Sequence, residues 1–460
     1  MKITASFTTG VTLAGCALAD CGSSLRNIMY FDQYHLTTPT KDVTGGITHV
    51  ITAFANSSLF VGATPGNYTP FMPLADVRAL FDNGTKVGIA IGGWGDTEGF
   101  GAGAKTEETR KQYAINVAAM ATSHGFDFVD VDWEYPGGNG PDYKQIPNAN
   151  KTDEITTFPL FLQEIKDAIS PKELSIAVPG LERDMIAFTQ EQAPKIFAAV
   201  DFVNVMTYDL MSRRDNATLH HSDVAGSLAS VERYLSLGLD ASKINLGFAF
   251  YAKFFQTQPG VDCSATPVGC PIVLAELEDG SDAGTSGATT FEKSNVVLPV
   301  IPTNLTVTSD GSCGINTFNT CLGAPENATC CSQYGYCGST AAHCGTGCQL
   351  GYGNCEGPST ATSFVAALAN STTDEENGGE WWWDAENELF WTFDTVELMQ
   401  RKFDEIVAAK GLGGVMAWSL GEDSYDWSRI AAMNAGVKKL QATKKRSTKK
   451  RRAVGQKLHA

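Results

Sequence analysis

Eight short apolar runs return along this chain at broadly even intervals, and the stretches between them carry helical periodicity. The runs are Asn27 to Phe31, Ile47 to Ala55, Val87 to Ile91, Phe126 to Asp132, Leu174 to Pro179, Phe202 to Tyr208, Ile244 to Tyr251 and Val415 to Leu420. Thr106 to His124 and Phe158 to Ile169 are two of the amphipathic segments that separate them. Alternating strand and helix argues for an α/β fold on a parallel sheet. Eight such units predict a closed (β/α)8 barrel of the TIM type. An open doubly wound sheet would need a phosphate loop. The glycine cluster at a strand end, Gly92-Gly93-Trp94-Gly95, has neither the lysine nor the spacing of one.

The even spacing fails between Tyr251 and Val415, which places an insertion after the seventh strand. Its first part, roughly 256 to 309, holds Cys263 and Cys270, seven apart and expected to be bonded. Its second part, 310 to 356, holds eight of the twelve cysteines and little core material. That composition predicts a small disulfide-stapled module whose connectivity the spacing leaves open. The barrel would then comprise 24 to 309 and 357 to 437, with strand and helix character resuming at Trp381.

Met1 to Ala19 reads as a secretory signal. Lys2 precedes an apolar run from Val11 to Leu18, with small residues Ala17 and Ala19 ahead of a cut before Asp20. The run is too short to span a bilayer, and no other segment is long and apolar enough to do so. Leu13-Ala14-Gly15-Cys16 also resembles a bacterial lipoprotein box, a reading that ranks second. Eight N-glycosylation sequons, at Asn56, Asn67, Asn83, Asn150, Asn216, Asn304, Asn327 and Asn370, fit an extracellular or cell-wall-associated chain. With the leader removed, Cys21 is the odd cysteine. The formal charge of −17 is unevenly spread. Residues 438 to 460 carry ten Lys or Arg and no acid, which leaves 24 bases against 51 acids before them. A body at −27 excludes nucleic acid as a partner and is compatible with a neutral sugar polymer. The tail is expected to be a disordered basic extension.

The fourth run continues as Phe-Asp-Phe-Val-Asp-Val-Asp-Trp-Glu-Tyr-Pro, 126 to 136. On a strand, Asp130, Asp132 and Glu134 point one way, while Val129, Val131 and Trp133 point the other with Asp127. Three stacked carboxylates on one buried face raise one another's pKa. A fold gains nothing from that, but a site that keeps a carboxyl protonated near neutral pH does. A solvated acidic edge would not carry flanks this apolar.

This segment closely resembles the Asp-x-x-Asp-x-Asp-x-Glu signature of glycoside hydrolase family 18, the chitinases. Other strand ends agree in order: Ala53-Phe54-Ala55, Ala90-Ile91-Gly92-Gly93-Trp94, Met206-Thr207-Tyr208-Asp209, Phe250-Tyr251 and Met416-Ala417-Trp418. The resemblance covers about 24 to 437, excepting the small module. Phe128 stands where the family usually has glycine, Ala90 where it has serine, and Lys253 where arginine is common. The resemblance implies Glu134 as general acid, and Asp132 as the group that orients the substrate's acetamide. Asp130 would sit behind Asp132 and share a proton or hydrogen bond with it, and Tyr208 would bond the acetamide carbonyl. It implies sugar contacts from Met206, Asp209, Tyr251, Trp94 and Tyr135 over a floor at Trp418. Trp381, Trp382 and Trp383 fit core and cleft equally well.

Cys330-Cys331-Ser332-Gln333-Tyr334-Gly335-Tyr336-Cys337 resembles the hevein-type chitin-binding module. The resemblance implies that Ser332, Tyr334 and Tyr336 grip N-acetylglucosamine, with His343 where a third aromatic is usual. The module is expected to bind polymer apart from the catalytic floor. The combined expectation is a secreted, monomeric chitinase that cuts β-1,4-N-acetylglucosamine linkages with retention and takes no metal or organic cofactor. A non-catalytic chitin lectin and an endo-N-acetylglucosaminidase acting on N-glycans are the rivals. Glu134 speaks against the first and the module against the second.

Overall fold

The computed structural model describes residues 25–297, 300–324, 328–357 and 360–457. The leader, Cys16, Cys21, Asn327 and the last three tail residues lie outside them. Each of the eight apolar runs forms a strand: β1 (Arg26–Asp32), β2 (His49–Ala55), β3 (Lys86–Gly92), β4 (Phe128–Asp132), β5 (Glu173–Pro179), β6 (Phe202–Met206), β7 (Ile244–Ala249) and, last in the chain, Gly414–Trp418. They close into one barrel in which every pairing is parallel, and the last strand lies between β1 and β7. Strands this apolar suit a sheet covered on both faces. One face packs with the surrounding helices into the main core, through residues such as Val129, Val131, Phe161 and Ile196. The other fills the barrel with Ile28, Tyr30, Phe128, Phe202, Met206 and Met416. The helices Glu107–His124 and Thr152–Ile169 pack on each other outside β3 and β4. The first is N-capped by Thr106, whose hydroxyl accepts from Thr109 N, while Thr106 N donates in turn to the Thr109 hydroxyl.

The chain leaves the barrel almost directly from β7 into β8 (Tyr251–Gln256). β8 pairs with β9 (Ser286–Thr290) on one side. On the other it pairs with a segment from beyond the cysteine-rich module. Three strands there, β10 (Thr372–Asp374), β11 (Gly379–Asp384) and β12 (Leu389–Phe393), complete a five-stranded antiparallel sheet in the order β10-β11-β12-β8-β9. The barrel-closing strand Gly414–Trp418 is accordingly β13. The sequence reading did not separate this sheet from the barrel, because its two halves are joined by a pairing across more than 130 residues, as of Phe390 with Phe255. Trp391, Phe364 and Phe291 form its own core against the helix Thr360–Asn370. Trp381 to Trp383 lie on β11, half-buried in this sheet.

The module at 310–356 folds around four disulfides, Cys313–Cys331, Cys321–Cys337, Cys330–Cys344 and Cys348–Cys355. Cys263 and Cys270 are bonded as expected. All seven described sequon asparagines are exposed. The last helix spans Ser428–Lys457, so the basic segment expected to be disordered is helical as far as Lys457. Its Lys, Arg, Ala and Gln are good helix formers, and no proline interrupts them. Among the described residues no helix is long and apolar enough to cross a membrane.

Candidate active site

β4 is buried along its whole length. Asp130 sits deepest and is approached by three donors: the Tyr30 hydroxyl at 2.8 Å, Asn204 Nδ2 at 3.3 Å and the Ser175 hydroxyl. A polar column supports it from below. Asn204 Oδ1 accepts from Asn245 Nδ2 at 2.8 Å, and Asn245 Oδ1 accepts from Arg26 Nε at 2.8 Å. The donors favour the carboxylate, but burial outweighs them and pushes Asp130 up to about 6.

Asp132, two residues on, is buried, and its Oδ1 has no partner among the described residues. Burial raises it well above the ordinary carboxylate value, and the charge of Glu134 adds more than that of Asp130. Sequence reasoning joined Asp132 to Asp130 by a hydrogen bond or shared proton. In the structure the hydrogen bonds of Asp130 go to Tyr30, Ser175 and Asn204, and Asp132 is coupled by charge to Glu134. Side chains two residues apart on a strand start about 6.6 Å from each other, so Asp130 bonds to its nearer cross-barrel neighbours.

Glu134 follows on the turn out of β4. Burial, reinforced by the charges of Asp209 and Asp184, pushes it up to about 8, against the opposing effects of Tyr135 and the Trp94 backbone N–H. It therefore carries its proton at neutral pH. Tyr208 stands just past β6. Its hydroxyl meets the weak acceptor Met416 Sδ at 3.8 Å, and burial beside Asp132 and Glu134 keeps it protonated. Asp209 accepts from the Tyr251 hydroxyl at 2.9 Å and pairs with Lys253 Nζ at 3.1 Å. Against the upward push of burial, Lys253 and then His221 hold Asp209 below the usual carboxylate range. Lys253 thus supplies the cation at the position where its resemblance to the family departs.

Trp418, at the end of β13, stacks on Phe54 with ring centroids 5.4 Å apart and meets Tyr30 at 5.6 Å. Trp94 is exposed, set edge-on to Tyr135 at 6.3 Å, with the Arg214 guanidinium 5.8 Å from its ring. Asp132, Glu134, Tyr135, Met206, Tyr208, Asp209, Tyr251, Trp94 and Trp418 all line one open cleft of about 740 Å³, within the usual range for a ligand site. Asp130 lies beneath it. Asp127 is on the opposite face, bonded to Val87 N and paired with Arg78. Trp381 to Trp383 do not line the cleft.

Several site residues escaped sequence reasoning. Tyr30, Ser175 and Asn204 had a signal, each being a polar group inside an apolar run. Asp184 and Glu422 had none, since they reach the cleft only through the fold. One expectation is corrected: the module does not stand apart from the cleft, because Tyr334 is part of its lining. Ser332 is only 3% exposed, and its hydroxyl accepts from Tyr336 N at 3.2 Å, holding the turn between the two tyrosines. His343 is bonded through Nδ1 to the Thr340 hydroxyl at 2.7 Å.

A closed parallel barrel that offers a protonated carboxyl beside a second carboxyl at the C-terminal end of β4, over an aromatic floor, is the architecture of a glycoside hydrolase. The model of the glycosyl hydrolases family 18 matches residues 26–423, and the chain belongs to that family. Endochitinase 1 of Metarhizium robertsii is 27% identical over 205 residues, 40% of this chain and 45% of that protein. Chitinase 1 of Aphanocladium album is 25% identical over 285 residues, 52% of this chain and 64% of that one. The chain thus spans roughly half the length of the curated relatives it matches. A chitinase from Rhizomucor miehei shares the fold with a TM-score of 0.61 at 17% identity, over 89% of this chain and 99% of the other.

Proposed function

We propose that the chain is a secreted chitinase that hydrolyses β-1,4-N-acetylglucosamine linkages with retention, using the substrate's own acetamide as nucleophile. The observation that carries the reading is the pair Asp132 and Glu134: both carboxyls are pushed up and both residues line one cleft, and Asp132 Oδ1 is buried with no partner among the described residues. A carboxyl that resists ionisation is a good acid and a poor nucleophile, so the attacking group comes from the sugar.

Glu134 gives its proton to the glycosidic oxygen as that bond to the anomeric carbon breaks. The acetamide carbonyl oxygen attacks the anomeric carbon and closes an oxazolinium ring. Asp132 accepts the acetamide N–H and so orients the carbonyl for attack, while the Tyr208 hydroxyl donates to the acetamide oxygen. Glu134, now a carboxylate, takes a proton from water, whose oxygen opens the ring from the face the leaving group left. Two inversions give retention. Trp418 is the apolar floor beneath the distorted sugar; Met206, Asp209 and Tyr251 shape the acetamide pocket; Trp94 and Tyr135 extend the stacking surface. Exposed sequons and five disulfides support an extracellular setting. Names of relatives support the substrate class.

The test is the anomer first released from N-acetylglucosamine oligomers, read by NMR, together with inhibition by a thiazoline mimic of the oxazolinium ion. Initial α-anomer, or equal rates on acetylated and fully deacetylated polymer, contradicts the proposal.

A further inference from the structure

Tyr334 belongs to the cysteine-rich module, yet it lines the same cleft as Glu134 and Trp418. Its neighbour Tyr336 is just as exposed, 62% against 63%, but is not part of that lining. The two aromatics of one turn therefore face different surroundings. The Tyr334 hydroxyl is raised by the protein mass around it and by the charge of Asp282, another cleft residue. An exposed ring in such surroundings stands on a concave wall.

The module is held in this position by contacts with the end of β8, the residues leading into β9, and β9 itself. Thr346 N donates to Gly284 O at 2.8 Å, and the Thr346 hydroxyl donates to Gln256 Oε1 at 3.0 Å. The Gln333 side chain lies over Gly287, where a Cβ would come within 2.4 Å of Gln333 Oε1. At Gly284, with φ of +74°, a Cβ would come within 2.3 Å of Ala341 O. A side chain at Gly284 would meet module backbone and push it off the sheet, whereas one at Gly287 would displace the Gln333 amide. Gly287 also lines the cleft, and Gln333 directly precedes Tyr334, so the docking contact and the cleft wall are adjacent.

We propose that Tyr334 is a distal sugar-stacking platform of the catalytic cleft, so that one polysaccharide chain runs from the carboxylates onto the module. The module is then a fixed extension of the cleft. Tyr336, facing away, is left to a neighbouring chain of the solid polymer. This rests on the function proposed above, in that the cleft ligand is an N-acetylglucosamine oligomer.

The experiment is calorimetry of N-acetylglucosamine hexamer on the full-length Glu134→Gln variant, with and without Tyr334→Ala. A continuous cleft predicts one hexamer per protein, bound about tenfold more weakly after Tyr334→Ala with the stoichiometry unchanged, as the loss of one stacking contact implies. Tyr334→Phe should restore the affinity, since the ring face remains. In the otherwise native enzyme, the loss of kcat/KM caused by Tyr334→Ala should shrink as the oligomer shortens. Two independent sites in Glu134→Gln, one removed by Tyr334→Ala and the other unaffected, would overturn the proposal. If the native enzyme cleaves no oligomer at all, the functional reading fails, while the stoichiometry still decides whether cleft and module form one site.

Discussion

The barrel mouth and the cysteine-rich module handle polar chemistry in opposite ways. In the barrel, Asp130, Asp132 and Glu134 are buried and pushed toward their neutral forms, surrounded by apolar strands that supply the stability. In the module the sugar-facing candidates Tyr334 and Tyr336 are exposed, and a core too small to hold them is replaced by four disulfides. A carboxyl is kept protonated by desolvation, whereas stacking needs an open ring face. One chain meets both needs by setting a stapled surface element at the edge of a deep hydrophobic barrel.

The sharpest way to break this contrast is Glu134→Gln. It should lower turnover by about 10²- to 10⁴-fold while hexamer binding persists, because the acid is lost but the cleft shape is kept. Near-native hydrolysis would remove Glu134 from its role. Reduction of the disulfides comes next. Among the described residues all of them lie within the insertion, and removing a disulfide from a small domain typically costs about 2–5 kcal/mol. Mild reductant should therefore unfold the module and abolish retention on insoluble chitin while the barrel keeps its far-ultraviolet dichroism. Loss of the barrel signal at the same reductant concentration would show that the two regions fold as one unit.

The pH profile sharpens the barrel side. As the proposed general acid Glu134 acts in its protonated form, so kcat/KM should fall as pH rises through about 8. Asp209→Asn removes a negative charge that raises Glu134, so the alkaline limb should move to lower pH, by on the order of one unit. A limb that stays in place, or moves upward, contradicts the assignment.

The smallest expected effect is on stability. Asp130 and Asp423 sit near 6 and Glu134 and Glu422 near 8, all raised by burial, so the folded state holds their protons more tightly than the unfolded chain. Their contribution is lost as pH rises from the ordinary carboxylate range through those values. His35, raised to about 9 beside Asp32 and Glu422, contributes stability below its unfolded value that is lost as pH rises through 9. Glu173, lowered to about 2 chiefly by His49, acts in the other direction and loses its contribution below about 4.5. The melting temperature should therefore peak at mildly acidic pH, and Glu134→Gln should flatten its decline toward pH 8. A melting temperature that rises from pH 5 to 8 would contradict this.

What the chain carries locally was open to reading. Continuous apolar runs mark strands covered on both faces, and each of the eight lies within about two residues of its barrel strand at either end. Period two places Asp130, Asp132 and Glu134 on one face and Asp127 on the other, because alternation is built into the backbone. Tertiary structure alone decided the rest. Tyr30 reaches Asp130 from 100 residues away, and β12 finds β8 across the whole module. The cysteine spacing admits many pairings, and packing around Tyr352 selects among them. Nothing near Tyr334 in the sequence says that it lines the cleft of the carboxylates. That depends on Thr346 and Gln333 meeting Gly284, Gln256 and Gly287 on a sheet edge, a complementarity of shape that no local period encodes.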